Sequence, residues 1–223
     1  MAINVYMVRH GETYFNMFAR LQGWSDTPLT AKGEEDAAKV GRELAPLQID
    51  YLFSSDLKRA VDTARILIKN HPKSTMTEPT QSKLFREVFY GSFEGHSNEE
   101  GAIWASHLAG DRMRRLSQVI DKYGMPKLHD LLHEADPAHL AEDSQQLDER
   151  CDQAMNFLRQ LPDNSNVVVA SHGSIIRYIA CRYGERDDYE GPGNGAIMKL
   201  SLSPEEVKVD FYNQKTLEIQ KKF

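Results

Sequence analysis

Short apolar runs alternate with longer amphipathic segments along the chain. Residues 3–8 and 167–170 form β-branched, nearly uninterrupted apolar runs, which are typical of strands covered on both faces. Residues 51–55, 196–203 and 207–213 predict three further strands. Because segments with helical periodicity lie between the earlier runs, the pattern predicts an α/β fold, namely a three-layer α/β/α sandwich around a mainly parallel sheet.

Two polar residues are placed to begin helices. Thr30 is a candidate N-cap for the helix that follows it, and Asp56 is a candidate N-cap for the next one. The second of these helices has one apolar face, which leaves Arg59 in its first turn free to point elsewhere. Helical periodicity predicts two more helices at residues 144–161 and 174–183.

The segment from about residue 96 to residue 143 differs from the rest of the chain. It holds five of the eight histidines and more acidic than basic residues. Gly124, Pro126 and Pro137 interrupt it, and its apolar spacing is helical. We interpret it as a helical, lid-like insertion over one end of the sheet, within a single domain of residues 1–223.

The charge balance restricts the ligands that the chain can bind. The sequence has 27 Lys and Arg against 33 Asp and Glu, a formal charge of −6, which excludes the broad basic surface of a general nucleic-acid binder. An anionic ligand must therefore be held by a local cluster. No apolar run approaches the roughly 20 residues of a membrane helix, and the first residues lack the features of a secretory signal. We expect a cytoplasmic protein in which Cys151 and Cys181 are reduced thiols.

Two of the predicted strands end in a His-Gly pair. His10 follows the first run and His172 follows the run at 167–170, so both lie where a parallel sheet binds ligands, beyond the carboxyl ends of its strands. A histidine whose one ring nitrogen is fixed by a backbone carbonyl keeps the other nitrogen free as a nucleophile. Arg9 adds a planar, charged fork that suits phosphate oxygens. Taken alone, the RHG triplet also fits a chance occurrence, and His172 also fits a buried histidine whose hydrogen bonds are satisfied.

Two other residues are candidates for the same chemistry. Arg59 at a helix N-terminus would strengthen an anion site, although it also fits a solvated helix face. Glu87 lies near glycines and aromatic residues. Partial burial there would raise its pKa and let it protonate a leaving oxygen, whereas an exposed Glu87 would be an ordinary surface carboxylate.

Five blocks of sequence carry these residues. They are RHGET at 9–13 with Asn16, QGWSDTPLTAKG at 22–33, SSDLKRAVDTA at 54–64, REVFYGSFEG at 86–95 and SHG at 171–173. In order and approximate spacing, over nearly the whole chain, they resemble the histidine phosphatase superfamily, in the branch that contains cofactor-dependent phosphoglycerate mutase.

The resemblance implies a role for each of these residues. It implies that His10 is the nucleophile that becomes a phosphohistidine and that Glu87 is the proton donor. It implies that Arg9, Arg59 and His172 neutralise the transferring phosphoryl group. The residues that it implies for phosphate or substrate binding are Arg9, Asn16, Gln22, Gly23, Arg59, His172 and Gly173. It implies no metal ion and no cofactor.

The activity expected from the resemblance is metal-independent hydrolysis of a small phosphorylated metabolite. Gly91 is followed by SFEG, which is the phosphatase-like form of the block after the acid. A phosphoglycerate mutase is the alternative, since Arg114 and Arg115 superficially resemble the arginine pair of the mutases. With Arg112, these two are candidate lid contacts to an anionic substrate, and they fit a solvated helix surface equally well.

A non-catalytic module that binds phospho-ligands is a third alternative. The mark of such a module would be the loss of His10 or Glu87, and both are present. Neither a nucleic acid nor a membrane is expected as a partner, and the oligomeric state stays open.

Three weaker signals lie outside the five blocks. HDLLH places His129 and His133 on one helical face, with His139 downstream, so it is similar to a zinc motif, but exposed histidines without a metal are the favoured interpretation. Asp143 and Ser144 fall where many members of the superfamily carry Glu-Ser, which leaves a role for that glutamate open. Asn194 precedes a strand as a superfamily asparagine does, although a turn-forming role fits it better.

Overall fold

The computed structural model describes residues 2–186 and 189–217, and within them a single sheet has six strands. The strands are β1 (Ile3–Arg9), β2 (Tyr51–Ser54), β3 (Thr80–Gln81), β4 (Asn166–Ser171), β5 (Ile197–Leu202) and β6 (Val207–Gln214). Their order across the sheet is β3-β2-β4-β1-β5-β6. The first four in that order run parallel, and β5 and β6 are antiparallel to their neighbours. The mainly parallel sheet predicted from the sequence is confirmed.

Helices cover both faces of this sheet. They are α1 (Tyr14–Met17), α2 (Ala31–Glu43), α3 (Lys58–Lys69), α4 (Asn98–Leu108), α5 (Leu116–Ala135), α6 (Ser144–Leu158) and α7 (Gly173–Tyr183). Two short 3₁₀ turns lie at Lys83–Phe85 and Gly91–Phe93. Residues of α2 and α3 form one hydrophobic cluster with the sheet, and residues of α5, α6 and α7 form the other. The sheet and the helices on its two faces form the three layers of the predicted sandwich, with one hydrophobic cluster on each side of the sheet.

The central strand β1 explains the apolar runs. Its residues alternate between the two faces, so Val5 and Met7 join the cluster under α5–α7 while Tyr6 and Val8 join the cluster under α2 and α3. Because both faces of the strand are covered, nearly every position must be apolar.

One of the two predicted helix caps is correct. The Thr30 hydroxyl accepts from the Gly33 amide at 3.0 Å and begins α2. The prediction for Asp56 is wrong, since α3 begins after Leu57 without a side-chain cap. Asp56 instead forms a two-pronged ion pair with Arg86, whose Nη2 lies 2.6 Å from its Oδ2. A charge-assisted pair of this geometry is stronger than a cap made by one amide.

The segment predicted as an insertion contains α4 and α5, which pack against each other. Gly124 has a φ of +83° and divides α5 into two parts, with Pro126 just beyond it. The buried side chains of α5 include Val119 and Leu128, which join the larger core cluster. The helical pattern agrees with the sequence analysis, whereas the lid-like role stays a prediction. Among the described residues, no helix combines the length and the apolar character that crossing a bilayer requires.

Candidate active site

The two His-Gly pairs meet at the carboxyl edge of the sheet. β1 and β4 are parallel neighbours, and Arg9 lies opposite Ser171 in their register. The residue after each strand is a histidine, and the ring centroids of His10 and His172 are 5.2 Å apart. The pairing of the two strands therefore brings together residues 162 positions apart in the sequence.

The His10 ring is held in one protonation state. Its Nδ1 lies 2.7 Å from the Gly11 carbonyl, to which it donates, and its Nε2 accepts from Arg59 Nε at 3.3 Å. Burial lowers the pKa of His10 well below its ordinary value, and the charges of Arg59 and Arg9 lower it further. The imidazole is therefore neutral, with its lone pair on Nε2.

Arg59 is fixed by the loop that precedes it in the sequence. Its guanidinium donates to the carbonyls of Gln22, Gly23 and Ser25 at 3.2, 2.7 and 2.9 Å. It also pairs with Asp26 at 3.1 Å, and its side chain is fully buried. These bonds aim Nε at His10 and place a permanent positive charge beside it.

Glu94 organises the same loop and is a residue that the sequence analysis missed. Its carboxylate accepts from the amides of Gly23, Trp24 and Ser25 at 2.9–3.1 Å. It also accepts from the Tyr90 amide at 3.1 Å. The signal was present, because this glutamate lies in the SFEG block that was used only to assign the type of activity.

Arg9 and His172 meet at the start of α7. His172 is the N-cap of α7, and its Nε2 lies 2.6 Å from the Ser55 hydroxyl. A Cβ at Gly173 would lie 3.0 Å from Arg9 Nε, so glycine allows the arginine to lie against the helix start. Arg9 Nη1 donates to the Pro192 carbonyl at 2.5 Å. Within the described residues, Arg9 Nε and His172 Nδ1 have no hydrogen-bond partner.

Glu87 lies at the same helix start. Its carboxylate accepts from the amides of Ser174, Ile175 and Val88 at 2.9, 2.8 and 3.0 Å. These bonds favour the ionised form, but burial dominates and raises the pKa of Glu87 above its ordinary value. Glu87 is therefore a carboxyl that holds its proton to a higher pH than an exposed glutamate.

Two residues position the loop that carries Glu87. Arg150 donates to the Arg86 carbonyl at 2.7 Å and pairs with Glu142 at 2.7 Å. Glu142 in turn accepts from the Phe89 amide at 2.8 Å. Asp143, which the sequence analysis had placed opposite the superfamily glutamate, is instead the N-cap of α6. Glu142, which is one residue before Asp143, is therefore the carboxylate that contacts the loop carrying Glu87.

Arg9, His10 and Glu87 line a cavity of about 200 Å³, whereas Arg59 and His172 are not among its lining residues. Asn16 and Gln22 line it, as the sequence suggested. Asn194 supports it, because its amide donates to the carbonyl of His10 and to the side chain of Asn16 at 3.1 and 3.0 Å. Gly23 is not a lining residue, and it contributes through the carbonyl that holds Arg59.

We name two groups of residues at this cavity. The catalytic cluster comprises Arg9, His10 and Glu87, which line the cavity, together with Arg59 and His172, which lie against His10. The distal wall comprises the lining residues of α5 and one residue of α7, namely Leu116, Ile120, Met125, Leu128, His129 and Arg177.

The arginines predicted for the lid lie elsewhere. Arg112, Arg114 and Arg115 are exposed and do not line the cavity, and Arg114 pairs with Glu99 on the surface. Besides Arg9, the lining cations are Arg20 and Arg177. The connection between α4 and α5 carries the predicted arginines away from the cavity.

The HDLLH segment is not arranged around a common point. His129 is buried in the distal wall, while His133 Nδ1 lies 2.6 Å from the Ala141 carbonyl and His139 Nδ1 lies 3.2 Å from the His133 carbonyl. Asp130 accepts from the Ser144 amide at 3.0 Å. Over residues 2–186 and 189–217, no group of three or more His, Cys, Asp or Glu residues could hold a metal ion.

The chain matches a known protein family over most of its length. The family model described as "Histidine phosphatase superfamily (branch 1)" matches residues 5–215. A probable phosphoglycerate mutase GpmB of Salmonella arizonae is 32% identical over 179 residues, which cover 78% of this chain and 71% of that protein.

Solved structures with the same fold include enzymes named for different reactions. A phosphoglycerate mutase of Bacillus anthracis superposes with a TM-score of 0.89 at 27% identity, covering 96% of this chain and 94% of that one. A putative α-ribazole-5′-P phosphatase of Escherichia coli superposes with a TM-score of 0.68 at 19% identity, covering 99% and 100%. The second likeness shows the fold alone.

Proposed function

We propose that this chain, which belongs to branch 1 of the histidine phosphatase superfamily, hydrolyses phosphate monoesters through a phosphohistidine at His10. One observation carries the proposal: His10 Nε2 is an unprotonated nitrogen with Arg59 Nε at 3.3 Å, and the His172 ring lies beside it. A neutral imidazole among cations is what nucleophilic attack on a phosphoryl group requires.

In the first step, a phosphate oxygen takes the hydrogen bond from Arg59 and frees the lone pair of His10 Nε2. That nitrogen attacks phosphorus, the bond to the ester oxygen breaks, and protonated Glu87 gives its proton to the departing alkoxide. The raised pKa of Glu87 suits this task, because the carboxyl keeps its proton until the leaving group needs it.

In the second step, water attacks the phosphohistidine. Glu87, now ionised, takes a proton from that water as the new P–O bond forms and the P–N bond breaks. Inorganic phosphate leaves, and both His10 and Glu87 return to their starting protonation states. Arg9, Arg59 and His172 supply the charge and the N–H donors for the equatorial oxygens in both steps, so the proposal needs no metal ion.

A mutase is the second candidate, and the names of some similar proteins support it. A relative at 32% identity is named a probable phosphoglycerate mutase, and the solved structure at 27% identity is named a phosphoglycerate mutase. We prefer hydrolysis because Gly91 is followed by SFEG and because Arg114 and Arg115 do not line the cavity. A mutase would return the phosphoryl group of His10 to an acceptor hydroxyl instead of water.

The proposal includes the setting of the site. The substrate is a small phosphorylated metabolite, and residues 1–223 act as one domain in which the helices of the segment 96–143 cover the site. We place this activity in the cytoplasm.

The deciding experiment measures hydrolysis of 4-nitrophenyl phosphate in excess EDTA by the wild type and by His10→Ala. We expect turnover that survives EDTA and that falls roughly 10³-fold or more in the variant. Acid-labile phosphate on the denatured wild-type protein, absent from His10→Ala, would identify the intermediate.

Other outcomes would reject the proposal. Retained activity in His10→Ala would exclude the phosphohistidine route, and loss of activity in EDTA would exclude the metal-independent one. Interconversion of phosphoglycerates in the presence of bisphosphoglycerate, at a rate far above hydrolysis, would establish the mutase instead.

A further inference from the structure

We infer that Arg177 binds a second anionic group, carried by the alcohol part of the substrate. The substrate class is then a phosphate monoester whose alcohol has an apolar body and a carboxylate or similar anion beyond it. This inference rests on the proposed function and names the substrate class of the same site.

Arg177 lines the same cavity as Glu87 and lies farther along α7 than His172 does. It is five residues after His172 on α7, which corresponds to about 7.5 Å along the helix axis. Between them, Ser174 donates to the carboxylate of Glu87, the proposed acid that faces the leaving oxygen. A cation one turn and a half farther along the helix is therefore displaced toward the alcohol and away from His10.

The Nε of Arg177 is buried and has no hydrogen-bond partner among residues 2–186 and 189–217. The residue as a whole is half-buried, and its side chain lines the cavity. A buried charged donor without an acceptor is costly, so such groups are normally paired. Glu87 is the one carboxylate among the described lining residues, and three backbone amides already hold it. An anionic ligand would supply the acceptor that no described residue gives to Arg177 Nε.

His129 is a second unsatisfied group in the distal wall. It is 1% exposed, and neither of its ring nitrogens has a partner among the described residues. The rings of Tyr90 and Tyr178 flank it, with centroids at 6.4 and 5.8 Å. Burial lowers the pKa of His129 to about 4, and the charge of Arg177 contributes to this shift. His129 is therefore a neutral neighbour that can add one N–H to a ligand held by Arg177.

The apolar residues of the distal wall indicate the chemistry of the middle part of the alcohol. This part of the cavity is lined by four apolar side chains of α5, namely Leu116, Ile120, Met125 and Leu128. Arg20 lines the cavity too, but it is exposed and its Nη1 already donates to the Gly95 carbonyl. An alcohol with an apolar middle would contact the α5 side chains, and an anion at its far end would reach Arg177.

The test compares carboxylates with their neutral amides. The substrates are straight-chain ω-phosphooxy carboxylic acids of two to six carbons and the corresponding primary amides. We expect the wild type to prefer the acid by about tenfold or more in kcat/KM at the chain length that reaches Arg177, since a charge-assisted bond is lost in the amide. In Arg177→Gln this preference falls to about one, and Arg177→Lys retains part of it.

Arg182→Gln is the matched control. Arg182 is on the same helix, does not line the cavity and pairs with Asp148 and Asp152, so its variant should keep the wild-type preference. Melting temperatures of all variants separate recognition from misfolding.

Three results would overturn the inference. A wild-type preference near one at every chain length would overturn it, and so would an unchanged preference in Arg177→Gln. If the wild type fails to hydrolyse 4-nitrophenyl phosphate, the proposed function itself fails, and the inference falls with it.

Discussion

The catalytic cluster and the distal wall satisfy their polar groups in different ways. In the cluster, the protein itself holds the reacting groups: three amides bind Glu87, and three carbonyls and Asp26 bind Arg59. In the wall, His129 and Arg177 have buried nitrogens that no described residue satisfies. The protein therefore fixes the reacting side chains before a substrate binds. In the distal wall, by contrast, we expect a bound ligand to supply the missing hydrogen-bond partners.

Two buried nitrogens in the catalytic cluster have no hydrogen-bond partner among the described residues. They are Arg9 Nε and His172 Nδ1, and both belong to residues that we propose to surround the phosphoryl group. In both groups, the buried nitrogens without partners therefore belong to residues that we propose to contact the substrate.

Replacing the proposed acid should give the largest effect in this comparison. We expect Glu87→Gln to lower kcat for alkyl phosphates about 10²- to 10⁴-fold, because their alkoxides need a proton. Hydrolysis of 4-nitrophenyl phosphate should fall far less, since its leaving group departs without one. Steady-state kinetics on both esters measures the difference, and equal losses on the two would rule out Glu87 as the acid.

The pH profile sharpens the same prediction. The proton on Glu87 is needed in the first step, so activity on alkyl phosphates should decline as pH rises through the raised pKa of this carboxyl. The lowered pKa of His10 keeps its nucleophilic form present in mild acid, so the optimum should be acidic. The alkaline decline should be absent in Glu87→Gln, and its persistence would assign it to another group.

Weakening the support of the cluster should have an intermediate effect. In Glu94→Gln an amide replaces the carboxylate that four backbone amides share, and we expect a loss of about 1–3 kcal/mol in the free energy of unfolding. Because the loop also holds Arg59, kcat/KM should fall roughly tenfold to a hundredfold at temperatures where the variant is folded.

A structural role alone would change stability and leave binding intact. The inhibition constant of inorganic phosphate therefore decides whether Glu94 positions Arg59, and we expect it to rise in the variant. Glu78→Gln is the control, since Glu78 is an exposed carboxylate that pairs with Arg65, and its effects should stay within about 0.5 kcal/mol. An unchanged inhibition constant in Glu94→Gln would contradict the positioning role.

The sequence could predict most of the cluster because its histidines follow buried strands and Arg59 lies in the first turn of a helix, whereas Glu87 lies in a loop and was indicated only by the glycines and aromatic residues near it. His10 and His172 end apolar runs, and the ends of parallel strands share one edge, so their meeting follows from the pattern. The roles assigned to them remain predictions that these experiments test.

The supporting and recognition residues could not be predicted in the same way. Glu142 and Arg150 contact the Glu87 loop across more than 50 residues, and neither has a local signal. Arg112, Arg114 and Arg115 were placed near the substrate by their charge, yet the direction of the α4–α5 connection decides their position. His129 was expected to be exposed, and this expectation is wrong, because the histidine is buried and lines the distal wall.

The smallest effect is expected where the distal wall is only partly buried. Leu116 lines the cavity without being fully buried, so Leu116→Ala removes apolar contact with little loss of core packing. We expect KM to rise about three- to tenfold for hexyl phosphate and to change little for methyl phosphate, whose alcohol is too short to reach the wall. Leu140→Ala is the matched control, because Leu140 is 61% exposed and does not line the cavity. An equal rise in KM for both esters in Leu116→Ala would mean that the residue supports the catalytic cluster, and the division of the cavity into two parts would then be wrong.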